Sequence, residues 1–157
     1  MQQSVIRDIF SGVVKTDLTV EGSNKPSVTY EPFYILNLEI PRDTGDLQSC
    51  LKSFFEEKRI LDYMHNGKRV RATHKSLISK LPRILCLHLK RFIYTDHLIK
   101  MKDFVTFEEV IEINDNFLAS QLRIGRKHEY RLFSVVEHVG QFASRGHYIS
   151  YTLDSEN

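Results

Sequence analysis

Residues 135–151 read VVEHVGQFASRGHYISY. Two apolar, β-branched runs flank a loop of small residues. The first run ends at His138 and Gly140, and the second opens with Gly146-His147-Tyr148. The period-two alternation on both sides predicts strand, loop, strand. A His directly after a Gly, at the mouth of such a loop, is placed for proton transfer. The strand fixes the ring, and the Gly lets a substrate backbone pass close by. Taken alone, a strand-end His also reads as an ordinary polar rim residue.

A second stretch changes the weight. Leu81 to Tyr94 reads LPRILCLHLKRFIY. The two stretches together resemble the ubiquitin-specific proteases, a family of papain-like cysteine deubiquitinases. The family's pattern Leu-Pro-x-x-Leu-x-x-x-Leu-x-Arg-Phe is matched by Leu81, Pro82, Leu85, Leu89, Arg91 and Phe92. Its histidine box, a His-x-Gly followed by Gly-His-Tyr and a second Tyr, is matched by His138, Gly140, Gly146, His147, Tyr148 and Tyr151. The resemblance runs from about Ile6 to Tyr151, and the phrases IRDIFSG, EPFYILNLEI and EYRLFSVVEHVG point to one branch of the family. It implies an α+β, papain-like fold, mostly antiparallel β-sheet with one or two helices. Residues 1–157 would be the fingers and palm of the catalytic domain, without the nucleophile-bearing lobe and the extreme C-terminal part.

The bulk numbers agree with one domain or part of one: 157 residues, 41% hydrophobic and 27% charged. A formal net charge of +2 does not mark a nucleic-acid or membrane binder. No apolar run approaches the ~20 residues of a membrane span. MQQSVIRDIF lacks the apolar core and small-residue cleavage site of a signal peptide, so an intracellular location is expected, the cytoplasm either alone or together with the nucleus. Cys50 and Cys86 sit inside apolar runs without paired spacing, which predicts buried thiols rather than a disulfide.

Along the chain, Thr16 to Ser27 is polar, with Gly22, Asn24 and Pro26 as turn formers, and reads as a hairpin tip or loose loop. Val28 to Ile40 reads as a strand with Leu36, Leu38 and Ile40 on its buried face. Asp46 to Glu57 reads as an amphipathic helix, because Leu47, Cys50, Leu51, Phe54 and Phe55 fall on one stripe. Thr44 or Asp46 is its N-cap. Asn66-Gly67 predicts a tight turn between Tyr63 and Val70. The basic segment Lys68, Arg69, Arg71, Lys75 and Lys80 has no interleaved aromatics and reads as a solvated strand face. Arg83 to Tyr94 is the most strand-like run, followed by a basic connector from Asp96 to Lys102. Phe104 to Ile113 gives more strand and Asp115 to Leu122 a short helix. Glu129 to His138 and Gly146 to Leu153 are the final two strands.

A papain-like protease needs a thiolate, a His to take its proton, and an Asp or Asn to orient the His. The resemblance implies His147 as the general base. It implies that Tyr148 lines the channel admitting the Gly-Gly end of ubiquitin, and that Gly146 gives the tail's backbone room. Phe92, Tyr94 and His138 would help to hold the tail, although plain core packing explains Phe92 equally well. The family's nucleophile lies in an Asn-x-Gly-x-Thr-Cys-like box well N-terminal to the part resembled here, and neither Cys50 nor Cys86 has that context. The orienting acid follows a Trp in the family. This chain has no Trp, so Asp154 is not assigned and reads as an exposed carboxylate.

Many members hold zinc at the finger tips with two Cys-x-x-Cys pairs. Here the matching stretches offer only His65 and His74, and the resembled branch is metal-free, so neither a metal nor another cofactor is expected. Two functions follow. One is part of a thiol-dependent ubiquitin hydrolase that cleaves the isopeptide bond after the C-terminal Gly of ubiquitin and takes ubiquitinated proteins as substrates. The other is a catalytically inactive ubiquitin-binding module. The second would leave the apolar surface around Leu85 and Val135 in water, an aggregation liability.

Overall fold

A computed structural model describes residues 4–42, 45–94, 96, 98–123, 125, 127–142 and 144–154. The elements run α1 (Val5–Phe10), β1 (Gly12–Val20), β2 (Ser27–Phe33), β3 (Leu36–Leu38), α2 (Leu47–Phe55), β4 (Lys58–His65), β5 (Lys68–Lys80), β6 (Leu87–Leu89), β7 (Phe92–Tyr94), β8 (Leu98–Lys100) and β9 (Val110–Glu112). Two 3-10 turns follow, at Asp115–Phe117 and Ser120–Leu122. Then come β10 (Glu129–Arg131), β11 (Ser134–Phe142) and β12 (Arg145–Thr152).

The core is built where the helical stripe meets alternating strands. Leu51, Cys50 and Phe55 of α2 pack with Leu36 and Leu38 of β3, Ile78 of β5, Ile111 and Ile113 around β9, and Phe117 with Leu118. Leu38, Leu51, Ile78 and Leu118 are fully enclosed. Each such side chain contributes about 1.5–3 kcal/mol by leaving water. The Phe55 and Phe117 rings stack with centroids 5.0 Å apart. Asp46 starts α2: its carboxylate accepts from the Ser49 backbone N–H and from the Ser49 hydroxyl, both at 2.8 Å. Thr44, the other capping candidate, lies outside the described residues.

From this core a four-stranded antiparallel sheet projects, in the order β2-β1-β5-β4. Its root is anchored by buried Ser76, Leu77 and Ile78, whereas Lys68, Arg69 and Arg71 at the far end of β5 face solvent. The β4–β5 turn is made by Asn66 at φ 50° and Gly67 at φ 76°. Both are left-handed, as the mirror-image hairpin turn requires. The remaining pairs are β3–β6, which is parallel, and the antiparallel β7–β8, β9–β10 and β11–β12.

The structure corrects several boundaries. Thr16 to Val20 is strand rather than loop, because β1 continues along β5 as far as Val20. Val28 to Ile40 divides into β2 and β3. Leu36, Leu38 and Ile40 keep the expected buried face. Arg83 to Tyr94 is not one strand. The Lys90 N–H still donates to the Leu38 carbonyl, the last bond of the β3–β6 ladder; the chain then turns tightly, the Arg91 N–H donating to the Leu89 carbonyl at 2.8 Å, and restarts as β7. The basic connector contains β8, paired to β7. Phe104 to Ile113 contributes only β9, Asp115 to Leu122 forms two 3-10 turns rather than a helix, and the strand expected from Glu129 to His138 is interrupted between β10 and β11.

Candidate active site

The β11–β12 hairpin carries the Gly-His-Tyr motif. Its strands close further toward the tip than the sequence suggests, to Phe142 opposite Arg145. Val135 pairs with Tyr151, Glu137 with Ile149, His138 with Tyr148 and Val139 with His147. Residues directly opposite in an antiparallel pair share a face, and neighbours along a strand alternate. His147 therefore stands on one face with Val139, and His138 and Tyr148 stand on the other.

The His138 face is a compact polar-aromatic cluster. The His138 ring lies 4.9 Å from the Tyr148 ring, centroid to centroid, and 5.8 Å from the Phe92 ring, which it meets edge-on. Phe92 and Lys100 are directly paired in β7–β8, and the Lys100 ammonium sits 5.9 Å from the Phe92 ring centroid. That ammonium donates to the carbonyl oxygens of His138 and Gly140, each at 2.7 Å, and lies 3.4 Å from His138 Nδ1. Tyr94 is two residues beyond Phe92 on the same side of β7 and is 79% exposed.

Gly146 makes this arrangement possible. A Cβ there would fall 2.2 Å from His138 Nε2 and 2.7 Å from the Val139 carbonyl. Gly140 has φ +147°, a region side chains rarely adopt.

His147 itself is exposed, and among the described residues nothing hydrogen-bonds its ring. An imidazole of this kind, fixed on a strand and open to solvent, is accessible to a reacting group brought to it. Asp154 is exposed just past the end of β12.

The cysteines are less open: Cys50 is buried as expected, whereas Cys86 is only half-buried. Cys50 is fully enclosed in α2; burial pushes its thiol up from the ordinary value, and the Asp46 carboxylate adds to the rise. Burial also raises Cys86. Thiols in these surroundings are poor nucleophiles.

Hairpin residues Val136, Phe142, Tyr148 and Tyr151 are each more than half exposed. Leu85 and Val135 themselves are half-buried, and the exposed apolar residues lie around Val135 on the hairpin, at Val136 beside it and Tyr151 opposite it.

The two candidate finger-tip histidines do not meet. His65 lies opposite Lys68 at the β4–β5 tip, whereas His74 lies opposite Lys58 at the other end of β4. At ~3.3 Å per residue that separates them by roughly 20 Å. Among the described residues no His, Cys, Asp and Glu side chains converge in a metal-ligating group.

Sequence reasoning missed Lys100, which fell in the basic connector. No motif spacing marks it, because its importance lies in where its Nζ reaches across the fold.

The pattern of the family described as Ubiquitin carboxyl-terminal hydrolase matches residues 1–157. Ubiquitin hydrolase B of Dictyostelium discoideum is 36% identical over 152 residues, an alignment covering 94% of this chain and 32% of that protein. Ubiquitin carboxyl-terminal hydrolase 10 of Rattus norvegicus is 32% identical over 153 residues, covering 93% of this chain and 19% of that protein. The branch suggested by IRDIFSG and EPFYILNLEI is the one this second relative represents. Among solved structures, the SAGA Ubp8/Sgf11/Sus1/Sgf73 DUB module bound to ubiquitin aldehyde superimposes with a TM-score of 0.84 at 27% identity. The match covers 99% of this chain and 36% of the solved one. The α+β, mostly antiparallel fold with two helices is thus the papain-like fold of those deubiquitinase domains, and the chain spans less than a third of the length of the two curated relatives.

Proposed function

The chain belongs to the ubiquitin carboxyl-terminal hydrolase family, and we propose that it forms the fingers and palm of a thiol-dependent deubiquitinase in which His147 is the general base. The observation that carries this reading is the register of β11–β12. It sets His147 exposed on one face of a two-stranded ribbon and groups Tyr148, His138 and Phe92 on the other. The reaction is hydrolysis of the isopeptide bond after the C-terminal Gly of ubiquitin. His147 takes the proton from a cysteine thiol and returns it to the leaving lysine amine.

The surroundings of Cys50 and Cys86 support a nucleophile supplied by a segment outside this sequence, together with the group that orients His147. The ubiquitin tail would be held extended, mostly through its main chain, against Phe92, Tyr94, His138, Gly146 and Tyr148. The neighbour solved with ubiquitin aldehyde supports ubiquitin as the partner.

The test is turnover of ubiquitin carrying a fluorogenic amide on its C-terminal Gly, measured with the complete protein. His147→Ala should lower kcat by about 10²–10⁴-fold or more and leave ubiquitin affinity nearly unchanged. Turnover near the wild-type rate would remove His147 from the reaction. Ubiquitin binding by a wild-type protein that never turns over would instead favour an inactive binding module.

A further inference from the structure

We propose that Lys100 is a positioning residue for His147, acting as a cationic clamp on strand β11. This rests on the assignment of His147 as the base. Among the described residues, the hydrogen bonds that join β11 or β12 to any other element all come from the Lys100 ammonium. None of the described hairpin residues is fully buried, so packing alone holds the ribbon weakly.

The clamp grips at an informative place. The carbonyls of His138 and Gly140 flank Val139, and Val139 is the residue directly opposite His147. An ammonium has three N–H donors. Here two go to those carbonyls, and the third faces His138 Nδ1 at 3.4 Å. The neutral His tautomer that accepts at Nδ1 carries its proton on Nε2, toward Gly146. Hydrogen bonds from a charged donor are about twice as strong as neutral ones. The Phe92 ring under the ammonium completes the site. Through these contacts β8 sets the position of β11, and β11 sets the position of the His147 backbone across the ladder. A base displaced by ~1 Å loses about a hundredfold in rate.

Two substitutions in the complete protein separate the possibilities. Lys100→Met keeps length and apolar stem but removes the donors, and Lys100→Arg keeps a multidentate cation. With ubiquitin amide as substrate, Lys100→Met should lower kcat about tenfold to a hundredfold, a larger effect than any rise in KM, and Lys100→Arg should recover most of the loss. Backbone amides of β11 and β12 should exchange with deuterium faster in Lys100→Met than in wild type, with α2 and β5 unchanged. An unchanged kcat, unchanged exchange in the hairpin, or a Lys100→Arg protein as impaired as Lys100→Met would each overturn the clamp. A wild-type protein without turnover would instead remove the base assignment, and hairpin exchange would then decide the clamp alone.

Discussion

His138 and His147 occupy one hairpin and point away from each other: His138 lies opposite Tyr148 and His147 opposite Val139, on alternate faces of the same ribbon. The two histidines of the motif therefore cannot perform the same task. Substitution should split the kinetics of the complete protein. On the proposed roles, His147→Ala should lower kcat by about 10²–10⁴-fold or more. His138→Ala should raise KM for ubiquitin while kcat falls no more than severalfold, because the carbonyl held by Lys100 remains. Equal losses of kcat in both variants would contradict the separation of faces.

Gly146→Ala should damage the hairpin directly. The added methyl meets His138 Nε2 at 2.2 Å and the Val139 carbonyl at 2.7 Å, and overpacking of this kind costs about 1–3 kcal/mol. His138→Ala in the same chain removes the first clash and leaves the second, so the double variant should recover only part of the loss. Denaturant unfolding of the four proteins of this cycle gives the coupling. Strict additivity would mean that the ring does not fill the space beside Gly146.

Acid should weaken the start of α2. The Ser49 backbone N–H, then the Ser49 hydroxyl, holds the Asp46 carboxyl below its ordinary value of 3.8. A lowered folded value means the contribution is complete above pH 3.8 and disappears as pH falls through the folded pKa. Asp46→Asn keeps a capping oxygen without a titrating group and should flatten this acid dependence. Asp46→Ala should lower Tm by about 2–4 °C at neutral pH. Circular dichroism melts between pH 2 and pH 7 would measure both.

At the alkaline end the reporter is Tyr130. Its hydroxyl donates to the Pro82 carbonyl at 2.6 Å, and burial pushes its pKa up to about 12. The unfolded phenol titrates near 10. The raised folded value means the stabilisation is whole below pH 10 and is lost as pH rises toward 12. Tyr130→Phe should cost about 0.5–1.5 kcal/mol at neutral pH and remove that alkaline loss. Ultraviolet titration of the phenolate, compared between the two proteins, should locate one late-titrating tyrosine.

Much of this was legible in residue order alone. The stripe from Leu47 to Phe55 gave α2 because its burial is set by neighbours three and four apart. Asn66-Gly67 gave the β4–β5 turn because few residues tolerate two successive positive φ values. Gly-His-Tyr marked the hairpin. What escaped depends on partners far away in sequence. β6 ends at Leu89 because its partner β3 ends at Leu38, and β8 forms because Phe92 finds Lys100 across a short return. The separation of His138 from His147 follows from a register that the residues between them do not announce.

The parallel pairing of β3 with β6 has a consequence for the order in which the chain assembles. It joins Leu36–Leu38 to Leu87–Leu89, so α2, β4 and β5 all lie inside the loop that it closes. Loop closure costs entropy that grows with the logarithm of loop length. A β4–β5 hairpin formed early shortens the span that remains to be closed, so a weakened turn is paid for in folding time. Gly67→Ala, which strains the φ 76° position, should therefore slow refolding of the complete protein more than it speeds unfolding. On that outcome, the turn at the β4–β5 tip would set the pace at which the centre can close.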